Sequence, residues 1–188
     1  MPLTLPPSYD NRGFTRRRFL GAMAVAGLGL IRLPRSLAAL EAPRSLSFHH
    51  LHTGERLAVE YFAGGNYLPH ALHEVNHVLR DWRTNELRPI DPALLDLLND
   101  LHQASGSRGP FEVICGYRSP KTNAMLHSRS EKVSPRSLHM TGKAIDIRLE
   151  DVPLDKLRAV ALGLRRGGVG YYSASNFVHI DIGRVRAW

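Results

Sequence analysis

SLHMTGKAIDI, residues 137–147, sets His139 and Asp146 seven positions apart with Gly142 between them, where a loop gives way to a β-strand. Successive side chains of a strand point to opposite faces. Ile145 and Ile147 therefore share one face, and Asp146 takes the other. VHID, residues 178–181, repeats the arrangement with His179 between Val178 and Ile180, and Asp181 falls on the face of His179. A carboxylate and an imidazole flanked by apolar neighbours need buried partners, and a shared cation supplies both at once. If the two strands are neighbours, Asp146 and His179 meet within about 5 Å. His139, Asp146 and His179 are then a candidate trio of metal ligands. Two imidazoles and a carboxylate leave a tetrahedral zinc one position for water, acidified to a pKa of about 7 and able to attack a carbonyl.

The rest of the chain frames those two strands. SLSFHHLH and RLAVEYF, joined at Thr53 and Gly54, read as a hairpin. Leu68, Leu72, Val75, Leu79 and Trp82 recur at steps of three and four and predict a helix from Pro69 to Trp82. DPALLDLLNDLHQAS predicts a second helix, with Asp91 as N-cap, Pro92 at its first position and Gly106 as its stop. FEVICGY is a short buried strand, and Ser119 with Pro120 opens a helix to about His127. VPLDKLRAVALGLRR is a helix ended by Gly167 and Gly168, and VGYYSASNFVHIDIG is a closing hairpin around Ser173 to Asn176. Strands and helices mix without regular βαβ alternation, which predicts an α+β domain with a small antiparallel sheet covered by helices.

A second metal motif competes. His73, Glu74 and His77 spell HEVNH, the H-E-x-x-H pattern in which two histidines one turn apart hold zinc. At about 100° per residue, however, His70, His73 and His77 fall nearly opposite the apolar stripe, together with Arg80, on the water-facing side. The residues after His77 also lack the glycine and third histidine of the metzincin extension. The expectation is a solvated helix face. Cys115, the sole cysteine, has no partner for an internal disulfide and reads as a small core residue. Ser119 and Ser137 read as capping or loop residues, because a metal-activated water makes a serine nucleophile unnecessary. Tyr171 and Trp188 are candidates for a cleft wall.

The first 38 residues differ from the rest. TRRRFL, residues 15–20, precedes the 11-residue apolar run Gly21 to Ile31 and then SLA at 36–38. The run is shorter than the roughly 20 residues of a membrane-spanning helix, so no stable membrane anchor is expected. It reads as an export segment, residues 1–38, cleaved after Ala38 or Ala39, with Arg16 and Arg17 in the place of a twin-arginine signal. This predicts use of the twin-arginine translocation machinery and a periplasmic or cell-envelope location. Six of the 25 basic and one of the 17 acidic residues lie in that segment, so residues 39–188 carry 19 minus 16, or +3. That excess suits an anionic envelope and does not call for nucleic acid.

GYRSPKTN at 116–123, SLHMTGKAIDI at 137–147, VGYY at 169–172 and NFVHIDIGRVRAW at 176–188 resemble the exported murein endopeptidases of the YcbK or MepK type. DWRTNE and DPALLDLL extend the resemblance into the helical part. The group is the LAS zinc peptidases, which share a D-alanyl-D-alanine-peptidase-like or hedgehog-like fold. The resemblance implies one Zn²⁺ held by His139, Asp146 and His179, and peptidoglycan peptides as substrate. It further implies that Arg118 contacts the substrate or the developing oxyanion, a task suited to a permanently charged fork of donors. Many relatives place a glutamate three residues, or a histidine two residues, before the last ligand. Here those positions are Asn176 and Phe177, which leaves the general base unassigned. Asp181 fits that role or, with slight preference, that of a carboxylate orienting a ligand histidine. Three alternatives share the ligand set: a D,D- or L,D-carboxypeptidase, an iron(II) oxygenase with a facial triad, and a non-catalytic wall-binding module.

Overall fold

The computed structural model describes residues 42–130 and 133–188, and the export segment assigned to residues 1–38 lies outside them. The two leading runs form strands β1 (Arg44–His50) and β2 (Arg56–Ala63), paired antiparallel as expected. The two-residue strand β3 (Asn66–Tyr67) follows and adds to the free edge of β2.

Helix α1 (Pro69–Val78) buries Ala71, Val75 and Val78. It stops four residues before the predicted end. The carbonyl of Leu79, which a longer helix would bond to residue 83, instead accepts from the N–H of Tyr117 at 2.7 Å. Trp82 leaves the helical stripe and stacks on His52, ring centroids 4.3 Å apart. Helix α2 (Pro92–Ser105) has the predicted ends: the Asp91 side chain accepts from the N–H of Ala93 at 3.0 Å, and Gly106 closes it in the left-handed conformation.

The remaining elements are β4 (Phe111–Cys115), α3 (Pro120–His127), β5 (Ala144–Arg148), α4 (Leu154–Leu164), β6 (Gly168–Tyr172), β7 (Phe177–Asp181) and β8 (Arg186–Ala187). Helix α4 ends on Arg165, itself left-handed at φ 51°, and not on the glycine pair. Gly168 already belongs to β6.

The sheet runs β3-β2-β1-β4-β5-β7-β6-β8. It is an α+β arrangement, with eight strands where a smaller sheet was expected. Two pairings, β1 with β4 and β6 with β8, are parallel, and the other strand pairs are antiparallel. α1 packs on β2, α2 on β1 and on α4, and α4 on β6 and β7. The shared core includes Phe48, Leu94, Leu98, Phe111, Ile145, Ile147, Val178 and Ile180. Since alternate side chains of β5 and β7 enter that core, Asp146 and His179 are left on the opposite face. Among the described residues no helix is long and apolar enough to cross a membrane.

Candidate active site

The register of β5 on β7 sets Asp146 directly opposite His179. His139 arrives from a 3-10 turn, Leu138–Thr141, whose N-cap is Ser137 and whose last residue is followed by Gly142 at φ 68°. Ser137 is thus a capping residue, and so is the buried Ser119, whose hydroxyl accepts from the N–H of Thr122 at 3.2 Å at the start of α3. The turn is pinned on two sides. The Gly142 carbonyl accepts from Asp91, and the His139 carbonyl accepts from Arg118. A Cβ on Gly142 would reach within 3.2 Å of the Ile90 Cα, so the loop seats directly on the backbone of residues 89–91.

His139 Nδ1 lies 2.8 Å from the carbonyl of Gly116, which can only accept, so Nδ1 carries a proton and donates it. Its other nitrogen, Nε2, lies 3.1 Å from His179 Nδ1 and 3.3 Å from Asp146 Oδ1, and the latter two atoms are 2.9 Å apart. Three donor atoms from two strands and a turn therefore form one small triangle. Tetrahedral zinc with bonds of about 2.0–2.1 Å requires ligand atoms about 3.3 Å apart. The residues present fit such an ion.

In the protein without metal, burial would lower the affinity of His139 for a proton, but the Asp146 carboxylate beside it dominates and raises its pKa to about 10. Burial would conversely raise Asp146, yet His139 and His179 hold it well below the ordinary carboxylate range. A cation held there would take the place of that proton.

Asp181 lies on the far side of His179. The carboxylate is fully buried, and its Oδ2 is 3.0 Å from His179 Nε2. Arg186 donates to both Asp181 oxygens, at 3.0 and 2.6 Å. The backbone N–H groups of Gly168 and Gly183 complete the shell. Burial would raise the pKa of this group, and the bonds from His179 and Arg186 pull it well below the usual value instead.

Arg118 is held loosely by comparison. Its contacts to Asp146 Oδ2, Asn123 Oδ1 and Cys115 Sγ are 3.4, 3.4 and 3.6 Å, and its buried Nε–H has no partner among the described residues. A guanidinium with unspent donors lines the cleft.

Cys115 is buried, as the sequence reading has it, but lies outside the main apolar cluster. The pairing of β4 with β5 slips between Val113 and Cys115, so Val113 faces Ile147 while Cys115 faces Asp146. The irregularity turns the thiol out of the main apolar core and toward the site, with Sγ within 4.8 Å of donor atoms of His139 and Asp146. A second trio, Cys115–His139–Asp146, therefore shares two members with the first. Nothing in the local sequence signals the slip.

The HEVNH motif stays apart from this cluster. His73 and His77 are exposed, and His77 faces Glu55 at 3.6 Å, which Arg80 also holds at 2.8 Å. Above the triangle lies a cleft of about 380 Å³ walled by Tyr172, Phe177 and Trp188 and edged by Arg118, Arg136 and Arg186. Trp188 thus lines it, whereas Tyr171 packs against the core under Arg158. Asn176 is a left-handed turn residue, and Phe177 stacks on Tyr172 at 4.6 Å.

Two imidazoles and a carboxylate at the floor of a basic, aromatic-walled cleft, carried on an α+β sheet, form a candidate metal centre of the kind a metallopeptidase uses. Comparison with known proteins fixes the family. The chain belongs to the family described as peptidoglycan L,D-endopeptidase MepK, whose model matches residues 38–188. It is 44% identical over 182 residues to the peptidoglycan L,D-endopeptidase MepK of Escherichia coli K12, covering 95% of this chain and all of that protein. The probable peptidoglycan L,D-endopeptidase MepK of Haemophilus influenzae is 42% identical over 177 residues, covering 92% and 95% of the two chains. A solved structure, the L-Ala D-Glu endopeptidase ChiX of Serratia marcescens, aligns over 51% of this chain and 69% of its own, with 20% identity and a TM-score of 0.35. The chain is accordingly a peptidoglycan-hydrolysing peptidase.

Proposed function

We propose that this peptidase is a zinc-dependent endopeptidase, that His139, Asp146 and His179 hold the ion, and that the bond it cuts is an L,D amide of a peptidoglycan cross-link, as in the names of its relatives. The observation that carries the reading is the donor triangle, with edges of 2.9 to 3.3 Å on a cleft floor. Bound there, zinc supplies an acidified water and polarises the scissile carbonyl. The protein's own groups do the rest. Gly116 fixes the ring of His139 through its carbonyl, leaving Nε2 toward the ion. Arg118 offers free donors to a substrate carboxylate or to the oxygen on which charge develops. The aromatic wall gives the peptide an apolar side to lie against. Asp181 acts as an orienting carboxylate: with no exposed surface and five N–H donors around it, it has no route to a water in the cleft.

His179 is preferred to Cys115 as the third ligand because its free nitrogen stands within 3.1 Å of both other donors and its second nitrogen is braced by Asp181. Residues 1–38 serve as a twin-arginine export signal that delivers the enzyme to the periplasm, where its substrate lies. Replacing Arg16 and Arg17 with lysine should then leave the precursor in the cytoplasm.

The central test is mass-spectrometric analysis of muropeptides released from purified cross-linked sacculi. Wild-type protein should convert dimers to monomers, with one zinc and no iron by elemental analysis, and His139→Ala and His179→Ala should not. Undiminished cleavage by both variants would defeat the ligand assignment. Binding to sacculi without any product would favour the wall-binding alternative, and release of single terminal residues the carboxypeptidase one.

A further inference from the structure

We infer that Arg186 is a positioning residue of the metal centre, which acts through Asp181 to fix the nitrogen that His179 presents to the ion; the inference rests on the zinc reading above. Asp181 is a buried carboxylate whose five neighbours are all N–H groups: two from Arg186, one each from Gly168 and Gly183, and His179 Nε2. An ionised carboxylate only accepts. His179 therefore keeps a proton on Nε2, and Nδ1, 2.9 Å from Asp146 Oδ1, is the nitrogen left to face the triangle. Among the described residues Arg186 is the arginine in direct contact with that carboxylate, and it binds with two prongs, a geometry that fixes orientation as well as charge.

The sequence of β6 provides an independent observation. Gly168 and Gly170 have no left-handed backbone that would call for glycine. What they provide is space. A Cβ on Gly168 would fall 2.5 Å from Asp181 Oδ2 and would also meet the Arg186 guanidinium, and one on Gly170 would fall 2.7 Å from the ring of Trp188. The two missing side chains open a slot on the site face of the sheet, and the segment Arg186–Trp188 fills it. β8 pairs there in parallel with β6 through backbone groups, so the segment's placement does not depend on the arginine side chain.

Trp188 holds the arginine from the other side. Its ring lies under the Arg186 guanidinium at 4.8 Å and 5.2 Å from the ring of His179, and its Nε1–H donates to the Tyr172 hydroxyl at 2.9 Å. Glycine slot, tryptophan and arginine thus form one brace behind a single imidazole. Partners of this kind behind a ligand histidine are worth about 10- to 100-fold in metal affinity. Arg186 acts one bond further out, and the low end of that range applies.

The test compares wild type with Arg186→Met and Arg186→Lys by two measurements. Long-range ¹H–¹⁵N spectra of the metal-free proteins report which nitrogen of His179 carries hydrogen. Competition with a chelator gives the zinc dissociation constant. Wild type should show hydrogen on Nε2 throughout, whatever Nδ1 shares with Asp146. Arg186→Met should show a mixture and bind zinc about tenfold more weakly, with Arg186→Lys recovering most of the difference. Arg186→Gln, which keeps a neutral donor, carries the same comparison should the methionine variant not fold. Unchanged tautomer and zinc affinity within about twofold across the series would overturn the inference. Wild type that shows the Nε2–H form, lost in Arg186→Met, yet takes up no zinc would fail the zinc reading and leave the positioning role standing.

Discussion

Gly142→Ala isolates what the glycine inside the His-x-x-Gly-x-Ala-x-Asp pattern does. Gly142 sits at φ 68°, where a side chain costs about 1–2 kcal/mol. Reduced freedom of the unfolded chain returns about 0.4–1 kcal/mol of that. Gly106, the stop of α2, has nearly the same backbone at φ 73°, with nothing within 4 Å of an added Cβ. Gly106→Ala should therefore cost about 1 kcal/mol or less. At Gly142 the new methyl also meets the Pro89 carbonyl and stands 3.2 Å from the Ile90 Cα. Those are backbone atoms, with no rotamer to yield, and forced overpacking adds about 1–3 kcal/mol. The expected loss is about 2–4 kcal/mol, concentrated on the turn that presents His139. Urea unfolding of the metal-free proteins measures both values, and zinc affinity should fall for Gly142→Ala alone. Equal destabilisation by the two substitutions would refute the argument, since it assigns the difference to that backbone contact.

Arg118→Lys keeps the charge and discards the fork, so turnover on muropeptide dimers should fall about 10²–10³-fold with zinc content unchanged; kcat within about tenfold of wild type would remove Arg118 from the reaction. Cys115→Ser should bind zinc as tightly as wild type, and cobalt-loaded wild type should lack a strong sulfur-to-metal absorption band. The appearance of that band would exchange His179 for Cys115 in the ligand set. His50, with no exposed surface, has its pKa lowered to about 4 by burial and then by the nearby His52. The unfolded chain takes up a proton near the ordinary value of 6.5 and the folded protein does not until about 4, so stability is lost as pH falls through that window. The loss is at most about 3 kcal/mol. His50→Asn should flatten the dependence of urea midpoints between those pH values, and parallel profiles for the two proteins would contradict it.

Much of the candidate site was legible because it depends on local rules. Alternation along AIDI and VHID separates Asp146 and His179 from the isoleucines and valine that enter the core, whatever the rest of the chain does. The two ends of α2 and the start of α3 follow from Asp91, Pro92, Gly106 and Ser119, whose capping bonds span two or three residues. The water-facing side of HEVNH followed from helical period alone. Other features had no local signal. The N–H of Tyr117 captures the carbonyl of Leu79 from 38 residues away in sequence and ends α1 early. The slip that turns Cys115 toward Asp146 exists only in the pairing of β4 with β5. β8 is two residues long, too short to show alternation, and Arg186 acquires a role only when that strand pairs with β6 and the arginine side chain takes the space that Gly168 leaves.

The sequence by itself determined which face each side chain takes and where most elements begin and stop, because periodicity and capping are settled within a few residues. Only the tertiary structure decided which faces meet. Strand register, the early end of α1 and the brace behind His179 all rest on hydrogen bonds between distant segments, and those are chosen by the packing of the whole sheet against its helices.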